Sequence, residues 1–172
     1  KKGLDVFLES QLNYFRKQLI PYLKKKKIDT ILHLGDFFDN RVNIDSKVMN
    51  AVIDLFENDL KDFKIHMIVG NHDSYLESSI HINSIKTLSL FDNVTVYSDV
   101  TSLELGGRRL LMCPWQTNSD EFILKLDDYG KHDICAGHFE ILNCKMFSNQ
   151  LADHGIHQEE FFKSHPTGQK GW

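Results

Sequence analysis

The sequence predicts an α/β fold built around a parallel sheet. Two observations carry that expectation. Short apolar runs at residues 28–34, 64–69 and 133–136 have strand length, and a glycine closes each one. Amphipathic helical stretches precede and separate the first two runs. Strand, helix and strand within about forty residues make a βαβ unit, whose strands pair in parallel with a right-handed crossover.

Each element has its own signal. Leu4, Phe7, Leu8, Leu12, Phe15, Leu19 and Leu23 recur every three or four residues, which predicts an amphipathic first helix. Pro21 should kink or end it. Residues 24–27 form the only basic cluster and suit a helix end, where cations meet the negative dipole and solvent. The run 28–34 (IDTILHL) predicts a buried strand. Asp45 is placed to cap a second helix marked by Val48, Val52, Leu55 and Leu60. The run 64–69 (KIHMIV) is the next strand. A third helix is expected over 79–90. Strands follow at 94–97, 102–105 and 108–112, the last two joined by Gly106-Gly107 as a hairpin. A short helix is expected at 121–126, a strand at 133–136 and a short helix at 158–163.

The 172 residues suit one domain, 1–172, with a real core. Hydrophobic residues make up 41% and charged residues 26%, an ordinary globular balance. A net charge of −4 argues against nucleic-acid binding through bulk charge but leaves room for a local basic site. Cys113, Cys135 and Cys144 show no metal-binding spacing. Their sparse, odd count fits a reducing compartment, with Cys113 and Cys135 in the core. No apolar stretch approaches the roughly 20 residues of a membrane helix. The chain opens Lys1-Lys2-Gly3 without an initiating Met, which suggests a fragment or a processed chain.

The chemistry converges where the three runs end. The first leads into Gly35-Asp36, the second into Gly70-Asn71-His72-Asp73, the third into Gly137-His138. In open α/β sheets ligands bind outside the carboxyl ends of the strands. If the strands lie together, Asp36, Asn71 and His138 meet at one edge. A carboxylate, an amide oxygen and an imidazole form a mixed oxygen and nitrogen set that suits Mn, Fe or Zn better than Ca. The alternative is three unrelated polar turns. Among the other histidines, His33 and His66 are expected to be packed or hydrogen-bonded within strands. His81, His132, His157 and the tail residue His165 are expected at the surface, and Trp115 in the core.

The motifs GDFFD (35–39), GNHD (70–73) and GH (137–138), in that order, resemble the middle motifs of the calcineurin-like metallophosphoesterases. The stretches GDFFDNR, GNHDSYLESSIHINSI, LLMCPW and GHFE…DHGI resemble more narrowly the SbcD-like nuclease subunits, in particular the phage recombination endonuclease type. The resemblance implies a four-layer α/β sandwich of mixed sheets flanked by helices. It implies a two-metal hydrolase using Mn²⁺, with Mg²⁺ or another divalent transition metal as alternatives. Asp36 would bridge both metals, and Asn71 and His138 would bind the second. His72 would protonate the leaving oxygen and Asp39 would orient His72, while Asp73 stabilises the turn. Arg41 is a candidate phosphate contact or a surface salt bridge, and His154 a candidate at the site edge.

The resemblance also implies partners: DNA and a coiled-coil ATPase subunit, in the cytoplasm of a bacterial or phage-infected cell. Two motifs of the family are missing, an opening D-x-H and a closing G-H-x-H. The fold is therefore expected to be incomplete at both ends and the chain alone weak or inactive. An exposed sheet edge could then pair with a second copy. Two other functions compete: hydrolysis of another phosphate ester, and a scaffold that keeps the fold without catalysis.

Overall fold

The computed structural model describes residues 2–40, 43–76, 79–147, 150–153 and 155–163. Helix α1 (Lys2–Tyr14) runs through a π-helical turn (Phe15–Leu19) into α2 (Ile20–Lys26). Pro21 was expected to kink or end this helix, yet the helical path continues past it. The wide turn lies immediately before it, where the Ile20 N–H reaches back to the Phe15 carbonyl, and Pro21 opens the next α-helical segment, where its missing N–H matters least. Lys27 ends the helix in the left-handed region, at φ 57°. The Ile28 N–H bonds the Leu23 carbonyl and the Lys27 N–H that of Lys24, a Schellman-type stop. Phe7, expected on the apolar face, is 63% exposed, whereas Leu12, Phe15 and Leu23 pack inward.

Strand β1 (Thr30–His33) is followed by α3 (Ser46–Asp54), capped by the Asp45 carboxylate accepting the Lys47 N–H at 2.7 Å. A second π-helical turn (Leu55–Asp59) leads to β2 (Lys64–Ile68). Arg16 ties the two π-helical turns together by pairing with Asp54 and, at 2.7 Å, Asp59. Residues 79–90 are not one helix. Strand β3 (Ser74–Leu76) pairs antiparallel with β4 (Ser79–Asn83), and only Ser84–Leu90 is helical, as a 3-10 turn. Polar and apolar residues alternate from Ser79 to Asn83, the two-residue period of a strand, and of its two isoleucines Ile80 is buried and Ile82 exposed.

Then come β5 (Val94–Tyr97), β6 (Thr101–Leu105), β7 (Arg108–Cys113), α4 (Ser119–Lys125), a 3-10 turn (Leu126–Tyr129) and β8 (Ile134–Gly137). A small hairpin of β9 (Lys145–Phe147) and β10 (Gln150–Leu151) precedes α5 (Gln158–Lys163).

Two three-stranded sheets result. The first has order β1-β2-β5, all parallel; the second has order β6-β7-β8, with β6 antiparallel and β8 parallel to β7. One core cluster joins the outer face of the first sheet, through Ile65, Met67 and Val94, to Leu55, Phe56 and Leu88. A second joins Leu111 and Cys113 of β7 to Phe122, Leu126, Ile156 and Phe161. Ile68, Leu110 and Met112 are buried but belong to neither cluster, because alternation turns them to the opposite faces. Burying each is worth about 1.5–3 kcal/mol. The Trp115 N–H donates to the Val69 carbonyl at 2.8 Å and fixes the end of the second sheet against the first.

His132, expected at the surface, is buried. Its Nδ1 lies 3.1 Å from the Gly130 carbonyl and its Nε2 2.8 Å from the Ser102 hydroxyl, so both ring nitrogens are satisfied without water. His66 is half-buried with Nδ1 2.7 Å from the Tyr97 hydroxyl, while His81 and His157 are exposed. Trp115 is half-buried and packs against the first cluster.

Candidate metal centre

The centre begins with a buried anion. Asp73 is fully buried, and its carboxylate faces four main-chain N–H groups. Oδ2 accepts from Asp36 at 2.8 Å and Gly70 at 2.9 Å; Oδ1 accepts from Phe37 at 2.9 Å and Phe38 at 3.2 Å. Successive amides from one turn form a nest for the negative charge. Burial pushes the Asp73 carboxyl above the ordinary value, the N–H bonds from Gly70, Phe38 and Asp36 pull it down, and the Asp36 charge pushes it up again. To offer those amides the chain turns through Gly35 at φ 90° and Asp36 at φ 55°, conformations uncommon for a side chain other than glycine.

Three side chains then meet. Asn71 Oδ1 lies 2.9 Å from His138 Nε2, and Asp36 Oδ2 lies 3.5 Å from the same nitrogen. His138 Nδ1 is 2.9 Å from the Leu34 carbonyl. A carbonyl only accepts, so Nδ1 carries the proton. In the neutral ring Nε2 then presents a lone pair toward two oxygens that are themselves electron donors. A cation at their meeting point satisfies all three, and a carbonyl behind the imidazole is the usual way a ligating histidine is held. The residues therefore fit a divalent metal. Among the described residues no group of three or more His, Cys, Asp or Glu could hold one, so the set depends on the Asn71 amide. Close approach also requires Gly70, since a Cβ there would come within 2.2 Å of Asp36 Oδ1.

A family model for calcineurin-like phosphoesterases matches residues 8–167. The chain belongs to the calcineurin-like phosphoesterase family. It is also 33% identical over 153 residues to Exonuclease subunit 1 of Enterobacteria phage T4, a match covering 87% of this chain and 44% of that protein. The chain thus spans less than half the length of this relative. The family is one of hydrolases that bind divalent metals, and the mixed α/β architecture of this chain is that of the family.

The structure brings Asp36, Asn71 and His138 together and places His72 beside them. The His72 N–H donates to Asp36 Oδ1 at 3.0 Å, and the His72 ring has Nδ1 2.9 Å from the Asp39 carbonyl. The contact between Asp39 and His72 thus runs through the main chain, which fixes a tautomer with Nδ1 protonated. Arg41, His154 and His165 lie outside the described residues. Sequence reasoning assigned Asp73 only to its turn and missed that its carboxylate joins both loops. It also missed the Leu34 and Asp39 carbonyls, for which no side-chain signal exists. No helix among the described residues is long and apolar enough to cross a membrane.

Proposed function

We propose that this chain is the nuclease domain of a metal-dependent phosphodiesterase that acts on DNA in repair, recombination or replication. The convergence of Asn71 Oδ1 and Asp36 Oδ2 on His138 Nε2 carries this reading, and the likeness to a phage exonuclease subunit supports DNA as substrate. Asp36, Asn71 and His138 would hold Mn²⁺, with Mg²⁺ as the alternative. When bound, the ion would polarise a phosphoryl oxygen and acidify water. Asp36 also anchors the His72 main chain. In its doubly protonated form His72, with Nδ1–H held on the Asp39 carbonyl, would present Nε2–H to the leaving oxygen and give it that proton as a general acid, leaving a neutral ring protonated at Nδ1. Arg41 is proposed as a phosphate contact and His154 as a substrate contact.

The name of the phage relative includes the word subunit, which supports a partner; we assign that role to a coiled-coil ATPase, and a second copy of this chain is a further partner to test. The three cysteines are free, which supports the cytoplasm as the compartment.

The test is cleavage of linear duplex DNA with Mn²⁺ by the chain and by its His138→Ala variant. Turnover by these residues alone is expected to be slow, since three ligands suit one ion and in-line displacement is best supported by two. Cleavage that chelation stops and His138→Ala lacks would support the reading. Hydrolysis of a small phosphate diester but not of DNA would shift it to another ester. Metal binding without any hydrolysis would shift it to a scaffold.

A further inference from the structure

We propose that the cleft between the β3–β4 hairpin and α4 is a nucleobase-binding subsite beside the metal centre; this rests on the DNA reading above. The cleft holds about 300 Å³, at the small end of ligand sites, which suits one ring system rather than a peptide. Trp115, Phe122 and Tyr129 supply aromatic surface to its lining, and Ser79, Gln116 and Asn118 supply donors and acceptors. Asp99 and Glu121 also line it, and the single lysine, Lys125, is already paired with Glu121. A phosphate is therefore disfavoured there. A neutral heteroaromatic ring, with polar edges and two π faces, matches both halves of the lining.

The cleft is tied to the centre on two sides. The Trp115 N–H bonds the Val69 carbonyl at 2.8 Å, two residues before Asn71. On the other wall Asn83 of β4 pairs with Ser74, and the Ser84 N–H bonds the Asp73 carbonyl at 2.8 Å. Both walls hang from the stretch that carries Asn71 and His72. A strand with a phosphate at the centre would carry its neighbouring bases past walls that begin next to Asn71 and His72.

The chain has two tryptophans, so Trp172→Phe leaves Trp115 as the sole reporter. This variant is titrated without metal, using dAMP, deoxyribose 5-phosphate, a short single-stranded oligonucleotide and its abasic counterpart. Saturable quenching of Trp115 is expected only from ligands that carry a base. Thr117→Phe, at the cleft lining, should weaken it about tenfold, the scale of one stacked base. Quenching by the oligonucleotide alone assigns a base of the bound strand, and quenching by dAMP assigns a free nucleotide. Equal responses to base-bearing and baseless ligands would overturn the subsite. Base-dependent binding with no cleavage of DNA would sink the nuclease reading and leave the subsite standing. Cleavage with no base-dependent binding would do the reverse.

Discussion

Asp73 and Asp36 hold each other's loops in place. The Asp73 carboxylate accepts the Asp36 N–H at 2.8 Å, while the Asp36 carboxylate accepts the N–H of His72, the residue preceding Asp73, at 3.0 Å. The loop after β1 and the loop after β2 are thereby locked in one register. The side chains that face the candidate metal are set by main-chain geometry rather than by their own rotamers alone.

Asp73→Asn tests this lock. The amide keeps the size but turns one acceptor oxygen into a donor, leaving two of four buried N–H groups without a partner. Stability should fall by about 2–5 kcal/mol, read from the urea unfolding midpoint. A change under about 0.5 kcal/mol would mean that water or local movement replaces the lost acceptor.

Gly70→Ala pushes a methyl group into Asp36 Oδ1, to which an ideal Cβ would come within 2.2 Å. Asp36 must shift, and Mn²⁺ affinity should drop about 10–100-fold, the usual range for disturbed support of a ligand. Calorimetric titration measures it. Unchanged affinity would remove Asp36 from the ligand set. Asn71→Ala belongs in the same experiment; if it too binds normally, the contact between Asn71 and His138 is a plain hydrogen bond with the amide NH₂ donating.

His72→Ala should separate chemistry from binding. DNA cleavage is expected to fall about 10²–10⁴-fold, as for loss of a general acid, with Mn²⁺ affinity nearly unchanged. Activity and affinity falling together would make His72 a ligand.

His33 gives a pH prediction. Its Nδ1 is buried with no hydrogen-bond partner among the described residues, and its ring meets Phe37 edge-on at 5.3 Å. Burial holds its pKa below the ordinary 6.5, against the pull of Asp73 and Asp36 and with a push from His138. The fold therefore favours the neutral ring. This contribution to stability is complete above the unfolded value and is lost as pH falls through it toward the folded value. His33→Phe should flatten the decline of the unfolding midpoint between about pH 8 and pH 5. Equal slopes for the two proteins would assign the acid sensitivity elsewhere, with His66, also lowered by burial, the next candidate.

The junctions at Gly35-Asp36, Gly70-Asn71 and Gly137-His138 were legible because each sets a polar side chain directly after an apolar run and a glycine. The β1–α3–β2 unit was legible from periodicity and from Asp45. Residues 79–90 misled because their first five alternate every second residue while Ile85 and Leu88 keep helical spacing. His132 misled because one of its partners, Ser102, lies 30 residues away. The main-chain atoms that aim His72 and His138 leave no mark on composition, since every residue has a carbonyl. Only the fold determines which carbonyl stands behind which ring.

The bond between Leu34 and His138 joins residues 104 positions apart. At roughly 5–20 residues per second of synthesis, the Asp36 loop leaves the ribosome several seconds before its imidazole partner. A growing chain can therefore form β1, α3 and β2, and seat Asp73 in its nest, while the centre still lacks a ligand. If the proposed centre binds a metal, capture waits until His138 has been made, and a chain interrupted before that point should carry the early loops without their third ligand.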